Sequence, residues 1–227
     1  MMPITVLSKT VIGIVASDSF TDDVGKSQSF PTINMSHYDY TSDNHNQRFG
    51  FLGLSLSKEL NLNPFWLIQV GIGYYRTPSL LVNGTVTQGI DIESSDKFIY
   101  LYQMRSQQLL AEGKLLYNWQ QYYHPYISIG LGSAFNNASH YAVNIPPCFT
   151  FSPLFSNNKI TSFAYHAGLG LDVDLTDHLR LGIGYRFSDL GQFTLGNGPI
   201  DDVPNSYTLS QSHMYLNEVL IQLSILL

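Results

Sequence analysis

The sequence predicts an all-β chain, an up-and-down antiparallel transmembrane β-barrel of about eight strands. Three observations predict it. Apolar and polar or small residues alternate with a period of two along several segments; the face opposite the apolar one carries a repeated Gly-x-Gly; and the connections between segments are short and long in strict turn. No stretch approaches the roughly 18 to 20 uninterrupted apolar residues of a spanning helix. A chain that meets lipid must then do so as a closed barrel, which also pairs every backbone N–H and C=O.

The elements follow in chain order. The first strand is the poorest, somewhere in Ile4 to Ser17, because Val11-Ile12-Gly13-Ile14-Val15 does not alternate. Leu52, Leu54 and Leu56 then face away from Gly53, Ser55 and Ser57. Trp66, Ile68, Val70, Ile72 and Tyr74 alternate with Gln69, Gly71, Gly73 and Tyr75. Leu109, Ala111, Leu115 and Tyr117 oppose Gln108, Glu112 and Lys114, and Ile127, Ile129, Leu131 and Phe135 oppose Ser128, Gly130, Gly132 and Asn136. The segment from Phe163 to Leu175 sets Tyr165, Leu169, Leu171 and Val173 against His166, Gly168, Gly170, Asp172 and Asp174. After the tight turn Thr176-Asp177-His178, Leu179, Leu181, Ile183, Tyr185 and Phe187 alternate with Arg180, Gly182, Gly184 and Arg186. Tyr215, Val219, Ile221, Leu223, Ile225 and Leu227 form the last apolar face, opposite Glu218, Gln222 and Ser224.

Short connections are expected near Lys58 to Asn63, Asn118 to Pro125 and Thr176 to His178, and long polar loops over about 21–46, 76–102, 137–159 and 189–211. Both termini then lie at the short-turn end of a single domain spanning 1–227.

Residue size decides which face meets lipid. Gly71, Gly73, Gly130, Gly132, Gly168, Gly170, Gly182 and Gly184 all lie on the non-apolar face. A water-facing surface gains nothing from glycine, which weakens a strand by roughly 0.5 to 1 kcal/mol relative to Ala. A narrow lumen gains room from it. The apolar face therefore points outward, with Trp66, Tyr117, Tyr185 and Phe187 near strand ends, where interfaces favour aromatic rings. The inward set contains Glu112, Lys114, His166, Asp172, Asp174, Arg180, Arg186, Glu218 and Gln222. Arg186 lies about as far along its strand as Glu218 on its neighbour, and Asp174 faces Arg180 across the turn, so these charges are expected to form a network that plugs the bore. The Gly-x-Gly pairs sit within strands, not at a strand-to-helix turn, and are not dinucleotide fingerprints.

Charged residues make up 12% of the 227 residues, against 44% hydrophobic and 13% aromatic with 15 Tyr and 2 Trp, a balance that suits a lipid-facing exterior. A net charge of -6 leaves no basic face for nucleic acid. Cys148 is the single cysteine, so there is no disulfide framework or thiolate cluster, and it is expected to be an inert loop thiol. Residues 1–20 do not read as a secretory signal: Lys9 is a lone charge and Val11 to Ala16 is short of the roughly 7 to 15 residues of an h-region. A mature or truncated chain is the expectation.

The segments Pro125 to Gly132, Ala167 to Asp172 and Leu179 to Phe187, together with the terminal strand, resemble the small Gram-negative outer-membrane β-barrel proteins of the OmpA/OmpX-like class, from about Gln47 onward. That family usually ends on an aromatic residue, whereas this chain ends Ser224-Ile225-Leu226-Leu227. The resemblance implies a bacterial outer-membrane location, lipid as a partner and no cofactor. One barrel scaffold hosts many activities. The expected role is structural or surface-interacting, with the long loops contacting a host or cell-surface ligand; the alternatives are a lipid-modifying enzyme or protease, or a narrow pore. His37, Asp39, His45, His140, Ser212 and His213 fall in or beside the long loops without a metal-ligand or nucleophile spacing, so no catalytic, cofactor or metal residue is assigned. Adjacent Ser212 and His213 point oppositely in an extended chain.

Overall fold

The computed structural model describes residues 8–33, 36–89, 95–149, 151, 154–200, 203–204 and 207–227. Its strands are β1 (Ser8–Asp23), β2 (Gln28–Ile33), β3 (Ser36–Ser42), β4 (His45–Asn63), β5 (Trp66–Arg76), β6 (Leu80–Gly89), β7 (Asp96–Tyr117), β8 (Tyr123–Asn144), β9 (Asn158–Thr176), β10 (Leu179–Asp189), β11 (Phe193–Thr194), β12 (Pro199–Ile200), β13 (Val203–Pro204), β14 (Ser210–Gln211) and β15 (Tyr215–Leu226). Eight of them close a ring in the order β1-β4-β5-β7-β8-β9-β10-β15, with β15 returning to β1. Every pairing is antiparallel. The final link runs Val11↔Leu226 through Phe20↔Asn217, and Thr10 and Leu227 exchange both backbone hydrogen bonds at 2.8 Å.

The alternation has the outward sense expected of lipid-facing walls. Ile14, Leu54, Ile72, Ile129, Leu169, Ile183 and Ile221 are each more than half exposed and stand on seven of the eight ring strands, and on β7 Leu109 is about half exposed. On β8 the outward run from Ile127 to Phe135, apolar except for Ser133, covers nine residues, the length a tilted strand needs to cross a bilayer at roughly 9–11 residues. At the short-turn rim Trp66 packs edge-on against Tyr117 at 5.2 Å, and at the opposite rim Phe187 stacks on Tyr215 at 5.6 Å. β1 fails to alternate in sequence because both its faces are apolar: Ile12 and Ile14 face outward, while Val11 and Val15 are buried in the lumen. It spans Ser8–Asp23, and Ile4 to Leu7 lie outside the described residues.

Two expectations about connections need correction. The turn placed near Lys58 to Asn63 is smaller, because β4 runs on to Asn63. Only Pro64 and Phe65 bridge the strands, held by the Asn63 side-chain oxygen accepting from the backbone N–H of Phe65 and Trp66 at 2.9 and 3.0 Å. The regions expected as polar loops over 21–46 and 76–102 are largely strand. β2 pairs with β3, β3 with β6, and β6 with the upper half of β7, so this side of the barrel continues beyond the lipid belt as a tall wall. β8 extends beside it to Asn144, whereas β9, β10 and β15 stop lower. The regions 137–159 and 189–211 also begin as strand, and the latter carries the short pairs β11-β14 and β12-β13.

Candidate functional site

Inward-facing residues of the ring stack in layers. In the lowest, next to the short turns, Arg180 is the hub. Its Nε donates to Asp174 at 2.5 Å and its Nη1 to Glu59 at 2.5 Å, while Gln69 donates to the same Glu59 oxygen at 2.6 Å. His124 lies 3.0 Å from the other Asp174 oxygen. One layer up, Lys114 donates to Asp172 at 2.9 Å and to Gln222 at 3.1 Å, with its ammonium 3.9 Å from the centre of the Tyr126 ring.

Mid-bore, Arg186 is buried with its guanidinium 4.4 Å from the Tyr75 ring centre and 4.8 Å from that of Phe51. It pairs with Glu218, its partner in register on the next strand, through Nε at 2.8 Å and Nη2 at 2.7 Å. Tyr75 donates to Glu112 at 2.5 Å, and His166 approaches the same carboxylate oxygen at 3.7 Å. A cavity of about 60 Å³ remains among these layers, bordered by Glu112, Lys114, His166 and Arg186, enough for a few waters.

The glycines make these layers fit. A Cβ on Gly73 would lie 2.6 Å from the Glu112 carboxyl carbon, one on Gly71 2.5 Å from Ser57 Cβ, and one on Gly168 2.9 Å from the Ser128 hydroxyl. The His166 ring covers Gly130, Asp172 lies against Gly182, Tyr126 spans Gly170 and Gly184, and the Leu109 backbone closes on Gly132. All eight glycines singled out in the sequence thus sit where a charged or aromatic side chain or a neighbouring strand needs the room.

Above Arg186 the interior changes character. Ser106 donates to Asn136 at 2.7 Å, and the Asn136 amide donates to the carbonyls of Leu190 and Gln192, both at 2.7 Å, tying the barrel mouth to the connection that follows β10. Over this floor sits an apolar cluster that includes Phe30, Tyr38, Tyr40, Phe98, Tyr100, Tyr102, Met104, Phe151, Phe155, Leu195 and Met214. Tyr40 packs edge-on against Tyr100 at 5.1 Å and shares a hydroxyl hydrogen bond with Tyr141 at 2.9 Å; Phe155 meets Tyr141 at 5.0 Å. Burial pushes the Tyr100 hydroxyl up to about 12, and burial, reinforced by neighbouring tyrosines, raises Tyr40 further. The tall wall supplies most of these rings, and Phe151, Phe155, Phe193, Leu195, Leu209 and Met214, from the connections after β8 and β10, pack onto them as a lid.

All eight ionisable residues singled out in the sequence line this interior, and the structure adds Glu59, Gln69, Tyr75, Tyr126 and His124 to their contacts. Glu59 and His124 had been assigned to turns, and nothing in the alternation marked the two tyrosines as partners of charge. Of the rim residues, His37 lies 3.1 Å from Asp39, His140 lies 3.0 Å from the Ser139 hydroxyl, and the His45 side chain is outside the described part. His213 stacks on Tyr215 with its Nδ1 2.7 Å from buried Asp189, an orientation that suits a general base; Ser212 beside it is exposed. Among the described residues no three His, Cys, Asp or Glu side chains are grouped to hold a metal.

The family profile of the outer membrane protein beta-barrel domain matches residues 23–212. No curated protein matches the chain. Among solved structures, the Neisserial surface protein A is 12% identical, with 95% of this chain and 96% of that chain covered and a TM-score of 0.45. Ail, the attachment invasion locus protein of Yersinia pestis, solved with the heparin analogue sucrose octasulfate, is 10% identical over 97% of this chain and 99% of that one, TM-score 0.47. The outer membrane protein OprG from Pseudomonas aeruginosa is 14% identical over 96% and 95%, TM-score 0.44.

Proposed function

Because this chain belongs to the outer membrane protein β-barrel domain family and resides in the bacterial outer membrane, we propose that it works there as one domain, a closed barrel that holds a rigid interaction surface above the membrane. The observation that carries this reading is the aromatic lid. The described residues above the lipid belt include a buried core that ties Phe151, Phe155, Leu195 and Met214 to the tall wall, and beneath it Arg186, Glu218 and Tyr75 lie across the bore. A preordered surface loses little conformational entropy when it binds a partner. The short turns, with the start of β1 and the end of β15 beside them, face the periplasm and the tall wall faces outward, as barrels of this kind are oriented. The ligand would be a cell-surface or host molecule meeting the wall and lid.

Two measurements test this. Planar-bilayer recordings of the refolded chain should show no steady ion conductance, and well-resolved open channels would replace the closed platform with the pore reading. Intact cells treated with a membrane-impermeant maleimide should be labelled at Cys148, which is exposed in the 145–157 segment. Labelling only after lysis would invert the orientation and remove the surface role.

A further inference from the structure

One stretch of the outer wall departs from the rest of the rim. Across β7, β8 and β9 the outward residues fall in rows set by strand register. Leu109, Ser133 and Phe163 form one row, Gln107, Phe135 and Thr161 the next, and Arg105, Asn137 and Lys159 the one above. The chemistry changes over four residues per strand, from lipid-facing Leu109 and Phe163, each about half exposed or more, to a guanidinium and an ammonium flanking an amide. Between Arg105, Gln107, Phe135, Asn137, Lys159 and Thr161 lies a cleft of about 370 Å³. Arg76 borders it through its register partner Gln107, which accepts from the Tyr74 hydroxyl at 3.0 Å.

These cations are unsatisfied in a way their counterpart is not. Elsewhere on the rim Arg48 is neutralised by Asp18, its Nε 2.8 Å from both carboxylate oxygens. Among the described residues neither Arg105 nor Lys159 has an acidic partner, and none of the eight residues lining the cleft is acidic. A guanidinium and an ammonium two strands apart stand roughly 10 Å apart at the backbone, and their long side chains can close on one anion between them.

We propose that this cleft is a binding site for the phosphate group of a lipid in the surrounding leaflet, with its acyl chains lying on Phe135, Phe163 and the belt below. The lipid source follows from the stacking of the rows: an amphiphile satisfies the cationic row and the apolar rows with one molecule, whereas a free phosphate leaves Phe135 and Phe163 unused. Basic pockets beside membrane-spanning segments select anionic head groups by the same balance. The inference rests on the barrel spanning the membrane and is independent of whether the lid binds a partner.

The test uses the full chain folded in dodecyl maltoside micelles, titrated with dodecyl phosphate and separately with inorganic phosphate, followed by backbone amide NMR. Dodecyl phosphate should move the amides around Arg105, Asn137 and Lys159 with saturation, and inorganic phosphate should bind at least tenfold more weakly. The R105Q/K159Q double variant should lose at least tenfold in affinity for dodecyl phosphate, while R48Q should not change it. Shifts spread evenly around the belt, or equal affinity in the double variant, would overturn the site. Inorganic phosphate binding as tightly as the lipid phosphate would overturn the lipid assignment.

Discussion

The two halves of β7 obey opposite rules. From Leu109 to Tyr117 the outward residues are apolar and the inward ones include Glu112 and Lys114. From Phe98 to Arg105 the inward residues Phe98, Tyr100, Tyr102 and Met104 are apolar or aromatic, and the outward ones include Gln103 and Arg105, with Ile99 and Leu101 as outward exceptions. The backbone is one continuous strand and the parity of its side chains does not change. What changes is the solvent outside: lipid below the rim, where the wall must be apolar outward, and water above it, where the hydrophobic effect drives the rings inward. The lumen is therefore held by buried ion pairs and the lid by aromatic packing, and the two should fail differently.

The largest separation is expected at Arg186. Replacing it by Met leaves Glu218 buried without its partner and should cost about 3–5 kcal/mol, whereas R186M combined with E218L should recover most of that loss. Urea unfolding in micelles checks it; equal losses in single and double variants would mean that the pair does not stabilise the lumen. In the lid, F155A should remove about 3 kcal/mol of packing. Because the rings lie above the membrane, that loss should appear as protease cleavage within 145–157 while the barrel keeps its heat-modifiable migration. Loss of the folded band would show lid and barrel to be one cooperative unit.

A smaller contrast lies within the walls. G132A puts a methyl against the Leu109 backbone and should destabilise by about 1–3 kcal/mol, since backbone cannot step aside. G113A, on the outward face with its nearest neighbour, Ile129, 3.8 Å from the added carbon, should be neutral or gain up to about 0.5–1 kcal/mol. The order of the two midpoints decides whether glycine serves the lumen.

The smallest effect near neutral pH belongs to the lid tyrosines. Unfolded tyrosine ionises near about pH 10. Tyr100 is held up to about 12 and Tyr40 and Tyr141 also lie above their usual value, mainly through burial. A raised folded value means the lid's contribution is complete below about pH 10 and is lost as pH rises through that of Tyr100. Phenolate absorbance should show late-titrating tyrosines in the folded protein and none once it is unfolded, and F155A should bring them forward.

The alternation made the lower barrel legible residue by residue. Period two, the glycine face and the short turns were enough to place Arg186 beside Glu218 and Asp174 beside Arg180, because strands joined by a tight turn, or adjacent in the ring, have a register that can be counted. The upper wall was read as polar loop, although His37-Tyr38-Asp39-Tyr40 and Phe98, Tyr100 and Tyr102 alternate as well as any lower strand. There the apolar face is composed of tyrosine and phenylalanine between polar residues, and its reversed sense carries meaning only once the height of the membrane is known. Turn boundaries hid Glu59 and His124 for a simpler reason: β4 and β8 extend past the residues at which their turns had been placed.

The sequence by itself determined that the chain closes as a barrel, which face meets lipid and which charges point inward, because each follows from local periodicity and residue size. Only the tertiary structure decided which partners the charges meet on strands that do not pair. Lys114 reaches Gln222 from β7 to β15, and Glu59 reaches Arg180 from β4 to β10, strands that never pair. Those contacts exist because ring closure brings far walls within a side chain's length of each other, a distance that no local pattern along the chain encodes.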